Sequence, residues 1–301
     1  MLRLRLTLAA LLAAGAVAVC PATAAAQGKG KPKTEAKPKA DKGDKGDKGD
    51  KGKGKVDTTK LKAELESGDA ARIAAALGEL MKAGDAAAAA APAVEALLKK
   101  GLSAELTVKA LDAAGALKQT SSSAVVAPYV KHRSGDVRRA AAKALVKSKG
   151  PDAVKALRAA LRSADAQVRG IAATGLGALG AKDSLGDLFN ALAHSVPEAA
   201  AAIGQLCEPK DCDKFADLTG KHQFDIMSSG FEQILFRAEK DMPEDQKIKV
   251  IGRLRELGTK EASKYLADVK GRWPEGWSKR VKQAIDAAVK ATGGGGGGDD
   301  E

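Results

Sequence analysis

"SGDVRRAAAKALVKSKG", residues 134–150, and "SADAQVRGIAATGLGALG", residues 163–180, write one pattern twice. Each places a short polar residue (Ser134, Asp165) before a Val-Arg pair (Val137-Arg138, Val168-Arg169), then small residues and a leucine. The short polar residue recurs at Ser195 and Asp225, so the intervals are 31, 30 and 30 residues. Eleven residues after each stands a large apolar residue: Leu145, Leu176, Leu206 and Phe236. A second series, Val94, Val125, Val154, Leu185 and Phe215, recurs at 31, 29, 31 and 30. Two registers read separately agree on one unit, and a fixed period of that length marks a repeat architecture.

From Val56 to Thr292 the apolar residues fall three and four apart, the period of amphipathic helices, and no stretch alternates long enough to suggest a strand. The fold class is therefore all-α. Ser134, Asp165, Ser195 and Asp225 are read as N-caps, because Ser and Asp accept from the unpaired amides of a first helical turn. Gly150-Pro151, Gly180 and Gly258 mark helix ends. The spacing predicts helix pairs at about 58–82, 91–118, 123–148, 152–179, 183–206 and 213–238. Single helices follow at about 243–257, 260–271 and 276–291, a terminal segment read as a cap. One pair cannot hide its apolar face alone, whereas stacked pairs bury a continuous core.

The pattern Asp165-x-x-Val168-Arg169-x-x-Ala172-x-x-Gly175-Leu176-Gly177 resembles the HEAT repeat, in the bacterial form also called PBS-lyase-like. Val137-Arg138, Ala141 and Ala144-Leu145 match it as well, with Ser134 where the family usually has Asp. Val281-Lys282, Ile285 and Ala288-Val289 after Ser278 form a weaker copy, and Glu198-Ala199 departs from the expected Val-Arg. The resemblance implies an α-solenoid: a right-handed superhelix of stacked antiparallel helix pairs, about six or seven repeats over residues 57–291. It also implies that Asp165, Arg138 and Arg169 belong to a structural side-chain ladder between neighbouring repeats. The short repeat itself carries no catalytic residue, so the lyase name is no reason to expect bilin chemistry.

The ends read differently. Arg3 and Arg5, an apolar run from Leu6 to Val19, and Ala24-Ala25-Ala26 have the order of a secretory signal peptide covering residues 1–26. Val17-Ala18-Val19-Cys20 resembles a lipoprotein box, from which Val19 departs, so an exported periplasmic or secreted protein is expected, with Cys20 lipidation as the alternative. Residues 27–56 are rich in Lys, Gly and Asp with nothing to seed a core before Val56, the composition of a disordered linker. Its glycines at 43, 46, 49 and 52 make four triplets without an internal proline, too few for a collagen helix. Residues 292–301 read as a Gly-rich acidic tail. Much of the +12 formal charge comes from the linker, so the helical body is only mildly basic. With 3% aromatic residues in an exported protein, nucleic acid is a poor partner.

Candidate chemistry is sparse. Cys207 and Cys212 in "LCEPKDCDKF" read as a disulfide, with about 2 kcal/mol from closing so short a loop. A zinc site recruiting His194 or His222 is the lesser alternative. His132, His194 and His222 lack the His-Glu pairs of iron-binding HEAT-repeat hydroxylases. Neither catalytic nor metal residues are assigned, and no cofactor is expected. Trp273 and Trp277 are contact-site candidates, since tryptophan is favoured in binding hot spots, or they fold back over the end of the stack. Arg138, Arg139, Lys155, Arg158, Arg162 and Arg169 suggest a basic stripe or an ordinary solvated helix face. The function expected is a non-enzymatic protein-binding scaffold of the bacterial cell envelope. The alternative is a polyanion-binding module, holding acidic cell-wall polymer or lipid headgroups through the linker and a basic solenoid face.

Overall fold

The computed structural model describes residues 57–293. The expected signal peptide at 1–26, Cys20, the linker at 27–56 and the tail from residue 294 onward lie outside the described residues. Within them the chain starts with α1 (Thr58–Glu66) and α2 (Ala70–Ala83). A 3₁₀ stretch, Gly84–Ala90, leads into α3 (Ala91–Lys100) and α4 (Ala104–Leu117). Next come α5 (Ser122–Val126), extended by the 3₁₀ turn Ala127–Lys131, and α6 (Gly135–Ser148). Four helices follow: α7 (Pro151–Ala160), α8 (Ala166–Ala178), α9 (Leu185–Ala193) and α10 (Glu198–Leu206). The last five are α11 (Pro209–Ala216), α12 (Phe224–Leu235), α13 (Glu244–Leu257), α14 (Lys260–Arg272) and α15 (Lys279–Gly293).

The two helices of a pair occupy two rows. Second helices pack in series, α2 on α4, α4 on α6, α6 on α8, α8 on α10 and α10 on α12. First helices α3, α5 and α7 stack alongside, each also resting on its own partner. The protein is thus an α-solenoid, and its core lies between the rows. Leu145 and Leu176, the leucines of the repeated pattern, are fully buried, and Leu206 nearly so. In the first row the register is one turn off the expected one in two units: Leu157 and Leu188 are fully buried, while Val154 and Leu185 sit at the edge of the core. Alanine fills much of the rest, which lets the helices approach closely.

The polar bonds between elements keep the same period. Ser122 Oγ donates to Glu95 (27 residues away), the Tyr129 hydroxyl to the Leu98 carbonyl (31), Arg158 to Asp187 (29) and Arg237 to the Cys207 carbonyl (30). Gln246 to Asp213 and Tyr265 to Glu232 both span 33. These last two bonds place α13 beyond α11 and α14 beyond α12. The segment expected to cap the stack therefore continues it with a longer unit, and α15, resting on α13 and α14, closes it. Thr292 and Gly293, assigned to the tail from sequence, are helical, and the Thr292 hydroxyl donates to the Ala288 carbonyl at 3.0 Å.

Caps show where local chemistry was decisive. Asp165 Oδ1 accepts from the amides of Gln167 and Val168 at 2.9 and 3.3 Å. Ser134 heads α6 but makes no side-chain cap bond. Ser195 is not a cap: it sits in the left-handed region at φ 61, Val196 is buried, and α10 starts only at Glu198. Val196 is buried in place of the missing Val-Arg valine, and Pro197 disfavours a helical residue before it, so the helix starts only after Pro197. Asp225 lies inside α12, since Phe224 already packs against the core and the helix starts two residues early, with Gln223 as its N-cap. Lys118, Lys149 and Gly180, 31 residues apart, all take the left-handed turn that ends a second helix.

Candidate binding face

The outward side of the second-helix row repeats with the fold. Asp112 on α4, Lys143 on α6, Thr174 on α8 and Gln205 on α10 are 31 residues apart and escape burial. Between α6 and α8 this side sinks into a groove of about 590 Å³. Arg139, Lys143 and Lys147 form one wall, Ile171 and Thr174 line the other side, and Glu198 reaches in from α10. The Glu198 carboxylate lies over Gly170, its Oε1 2.5 Å from where a Cβ would stand. Burial pushes the Asp112 carboxyl up, against the opposing pull of Lys147 and Lys143. Among the described residues Met81 is the one exposed large hydrophobic, so a partner here meets charge, hydroxyls and the half-buried Ile171 side chain. Sequence reading missed Lys143, Lys147, Ile171 and Thr174. Extending the 31-residue register to outward positions would have found the column they belong to.

The ladder residues lie at the repeat loops. Arg139 Nη1 donates to Asp165 Oδ2 at 2.5 Å, and Arg138 Nη2 is 3.8 Å from the same oxygen. The Arg138 Nη1 spans the carbonyls of His132 and Arg133, both at 2.9 Å, and Arg169 Nη1 spans those of Ser163 and Ala164 at 2.9 and 3.3 Å. Each Val-Arg arginine thus ties down its own loop, and Arg139 makes the shorter bond to the next repeat.

Burial alone would push the Asp165 carboxyl up, but the Val168 amide and the charge of Arg139 outweigh it and hold it below its ordinary value. A carboxyl lowered on folding stabilises fully above the ordinary 3.8 and loses that contribution as pH falls through the folded value. Asp165→Asn keeps a capping oxygen and drops the charge. It should cost about 1 kcal/mol at neutral pH, with the gap to wild type closing below pH 4 in denaturant titrations.

Cys207 and Cys212 are joined by a disulfide, both fully buried, with Cα atoms 5.3 Å apart. The bond ties the end of α10 to α11, and Arg237 holds the Cys207 carbonyl at 2.7 Å. Cys207→Ser/Cys212→Ser should lower unfolding free energy by about 2 kcal/mol in urea, the loop-closure value for six residues. His194 is exposed, its Nδ1 2.8 Å from the Asn190 carbonyl, and His222 lies in the turn after α11. His132 Nδ1 accepts from the Ser134 amide at 3.1 Å. Among the described residues no three His, Cys, Asp or Glu side chains are grouped to hold a metal.

Trp273 is buried, 7% exposed, and Trp277 half-buried. Their rings meet edge to face at 5.3 Å and both lean on Phe236. The Lys247 ammonium lies 5.5 Å from one ring centre and 4.9 Å from the other. This places the Trp273 ring inside the packing of the last helices. The basic stripe is no free positive face either. Asp187 takes Arg158 at 2.7 Å and Arg162 at 3.6 Å, Asp136 and Asp165 take Arg139, and two of the other arginines bind loop carbonyls.

The HEAT-repeat family profile matches residues 90–169, from the last residue before α3 into the first turn of α8. Residues 90–169 thus match HEAT repeats. No curated protein matches it by sequence. Among solved structures it is similar to the complex of CpcE and CpcF of phycocyanin lyase from a Nostoc species, with 18% identity and TM-score 0.46, covering 87% of this chain and 100% of that one. An engineered protein aligns at 16% identity and TM-score 0.47, over 78% and 68% of the two sequences. A designed armadillo repeat protein in complex with a (KR)4 peptide aligns at 14% identity and TM-score 0.40, over 79% and 100%. No described helix is long and apolar enough to cross a membrane.

Proposed function

We propose that this protein is a non-enzymatic protein-binding scaffold of the bacterial cell envelope, docking its partner in the groove between α6 and α8. One observation carries the reading: a constant helical frame presents a different side chain at each outward step, Asp112, Lys143, Thr174, Gln205, beside a groove with a basic wall facing Ile171 and Thr174. Such a surface distinguishes partners by charge and shape rather than by bulk hydrophobicity. The envelope address rests on the expected signal peptide and on the Cys207–Cys212 bond, of a kind that persists in oxidising compartments.

A photo-cross-linking residue at Thr174, compared with one at Lys155 in the other row, tests it. In envelope extracts Thr174 should capture one partner, and Ile171→Glu should abolish the capture. Equal capture from Lys155, or indifference to Ile171→Glu, would overturn the docking site. The polyanion reading is supported by the lysine-rich residues 28–56. It predicts affinity for acidic polymer that falls steeply with salt and disappears when that segment is deleted.

A further inference from the structure

At Asp165 the ladder between repeats is closed: one carboxylate receives Arg139 and lies beside Arg138. The next step repeats the arginine without the acid. Arg169 holds the same two loop carbonyls that Arg138 holds one repeat earlier. Thirty residues after Asp165, however, the sequence has Ser195 in a left-handed turn, and the N-cap of α10 is Pro197. Among the described residues no carboxylate lies within 4.0 Å of the Arg169 guanidinium, as Asp165 lies 3.8 Å from Arg138.

What borders Arg169 is space. A cavity of about 360 Å³ on one side is walled by Arg162, Asn190, His194 and Asp187. Another of about 210 Å³ is lined by Gln167, Ser195, Pro197 and Glu198. Asp187 is engaged elsewhere. Asp187 faces Arg158 and Arg162, and the Glu198 carboxylate lies over Gly170.

We propose that this gap in the ladder is a carboxylate-binding site. An aspartate or glutamate side chain of a bound partner, or its terminal carboxylate, takes the place that Asp165 fills one repeat earlier. Arg169 holds it, with Arg162 and His194 on the flank. The protein's own closed step supplies the template and selects carboxylate over other anions. The site lies at the loops that join the helices and shares Gln167 and Glu198 with the edge of the α6–α8 groove.

The test is a titration of the full-length protein with sodium acetate at constant ionic strength, following arginine Nε–Hε resonances, with phosphate and chloride in parallel. The Arg169 signal should saturate with acetate. Arg169→Gln should weaken acetate binding about tenfold, the scale of one lost ionic hydrogen bond. Arg138→Gln, in the closed step, should leave it within about twofold. Arg162→Gln, also expected to weaken it, serves should Arg169→Gln fail to fold. Tighter saturation by phosphate would overturn the ligand class. An acetate shift that never saturates, or equal losses in Arg138→Gln and Arg169→Gln, would overturn the site.

Discussion

Gly230→Ala should cost about 3 kcal/mol or more of folding free energy, the upper range for overpacking a tight helix crossing. A Cβ at Gly230, in the middle of α12, would collide with the edge of the Phe215 ring and stand 2.6 Å from the Ala200 carbonyl oxygen. From the other side, a Cβ at Gly204 on α10 would strike the Gly230 carbonyl. The two helices therefore meet backbone to backbone, and neither the ring nor the carbonyls can step aside cheaply. Gly252→Ala is the control: in α13, with nothing within 4 Å of the added methyl, it should stabilise by up to about 1 kcal/mol through helix propensity alone. Urea denaturation of both variants decides it. A Gly230→Ala loss no larger than that of a surface substitution would contradict the close crossing.

Lys247→Ala should cost a similar amount, about 3 kcal/mol, because it hollows out a fully buried site. Lys247 Nζ donates to the Arg237 carbonyl at 2.5 Å and faces both tryptophan rings. Burial drives its ammonium pKa below the ordinary 10.5; the carboxylates of Glu239 and Glu244 oppose this, and Arg237 adds to it. The folded protein then holds that proton more weakly than the unfolded chain does. Stability from this residue should rise as pH climbs from the depressed value towards 10.5. Lys247→Met keeps the volume and drops the charge, so it should cost under about 1.5 kcal/mol and lack that rise. Wild type and Lys247→Met, unfolded in urea from pH 7 upward, should therefore diverge. Parallel curves would mean that Lys247 is not desolvated.

The helices and their period were legible because the repeat forces Leu145, Leu176 and Leu206 to one depth in the core. Asp165 was legible as a cap because its bonds are local. Ser195 and Asp225 misled because burying Val196 and packing Phe224 outweighed their capping chemistry. Lys247 carried a signal that went unread: it stands in helical register with Val250, Ile251 and Leu254, all buried, so its side chain had to enter the core. The Trp pair could not be placed from sequence, since its position depends on Phe236 and Lys247, more than 25 residues away. The binding groove depends on which faces two neighbouring repeats leave outward, and that follows only once they are stacked.

Lysine cross-linking with a short-arm reagent, mapped by mass spectrometry on the monomer, tests the stack most directly. Pairs about one repeat apart should dominate: Lys100 with Lys131, Lys118 with Lys149, Lys182 with Lys210. Intramolecular links joining the lysines of α1–α4 to those of α13–α15 would show the two ends packed together, and a series of helix pairs that touch only their neighbours would be the wrong description.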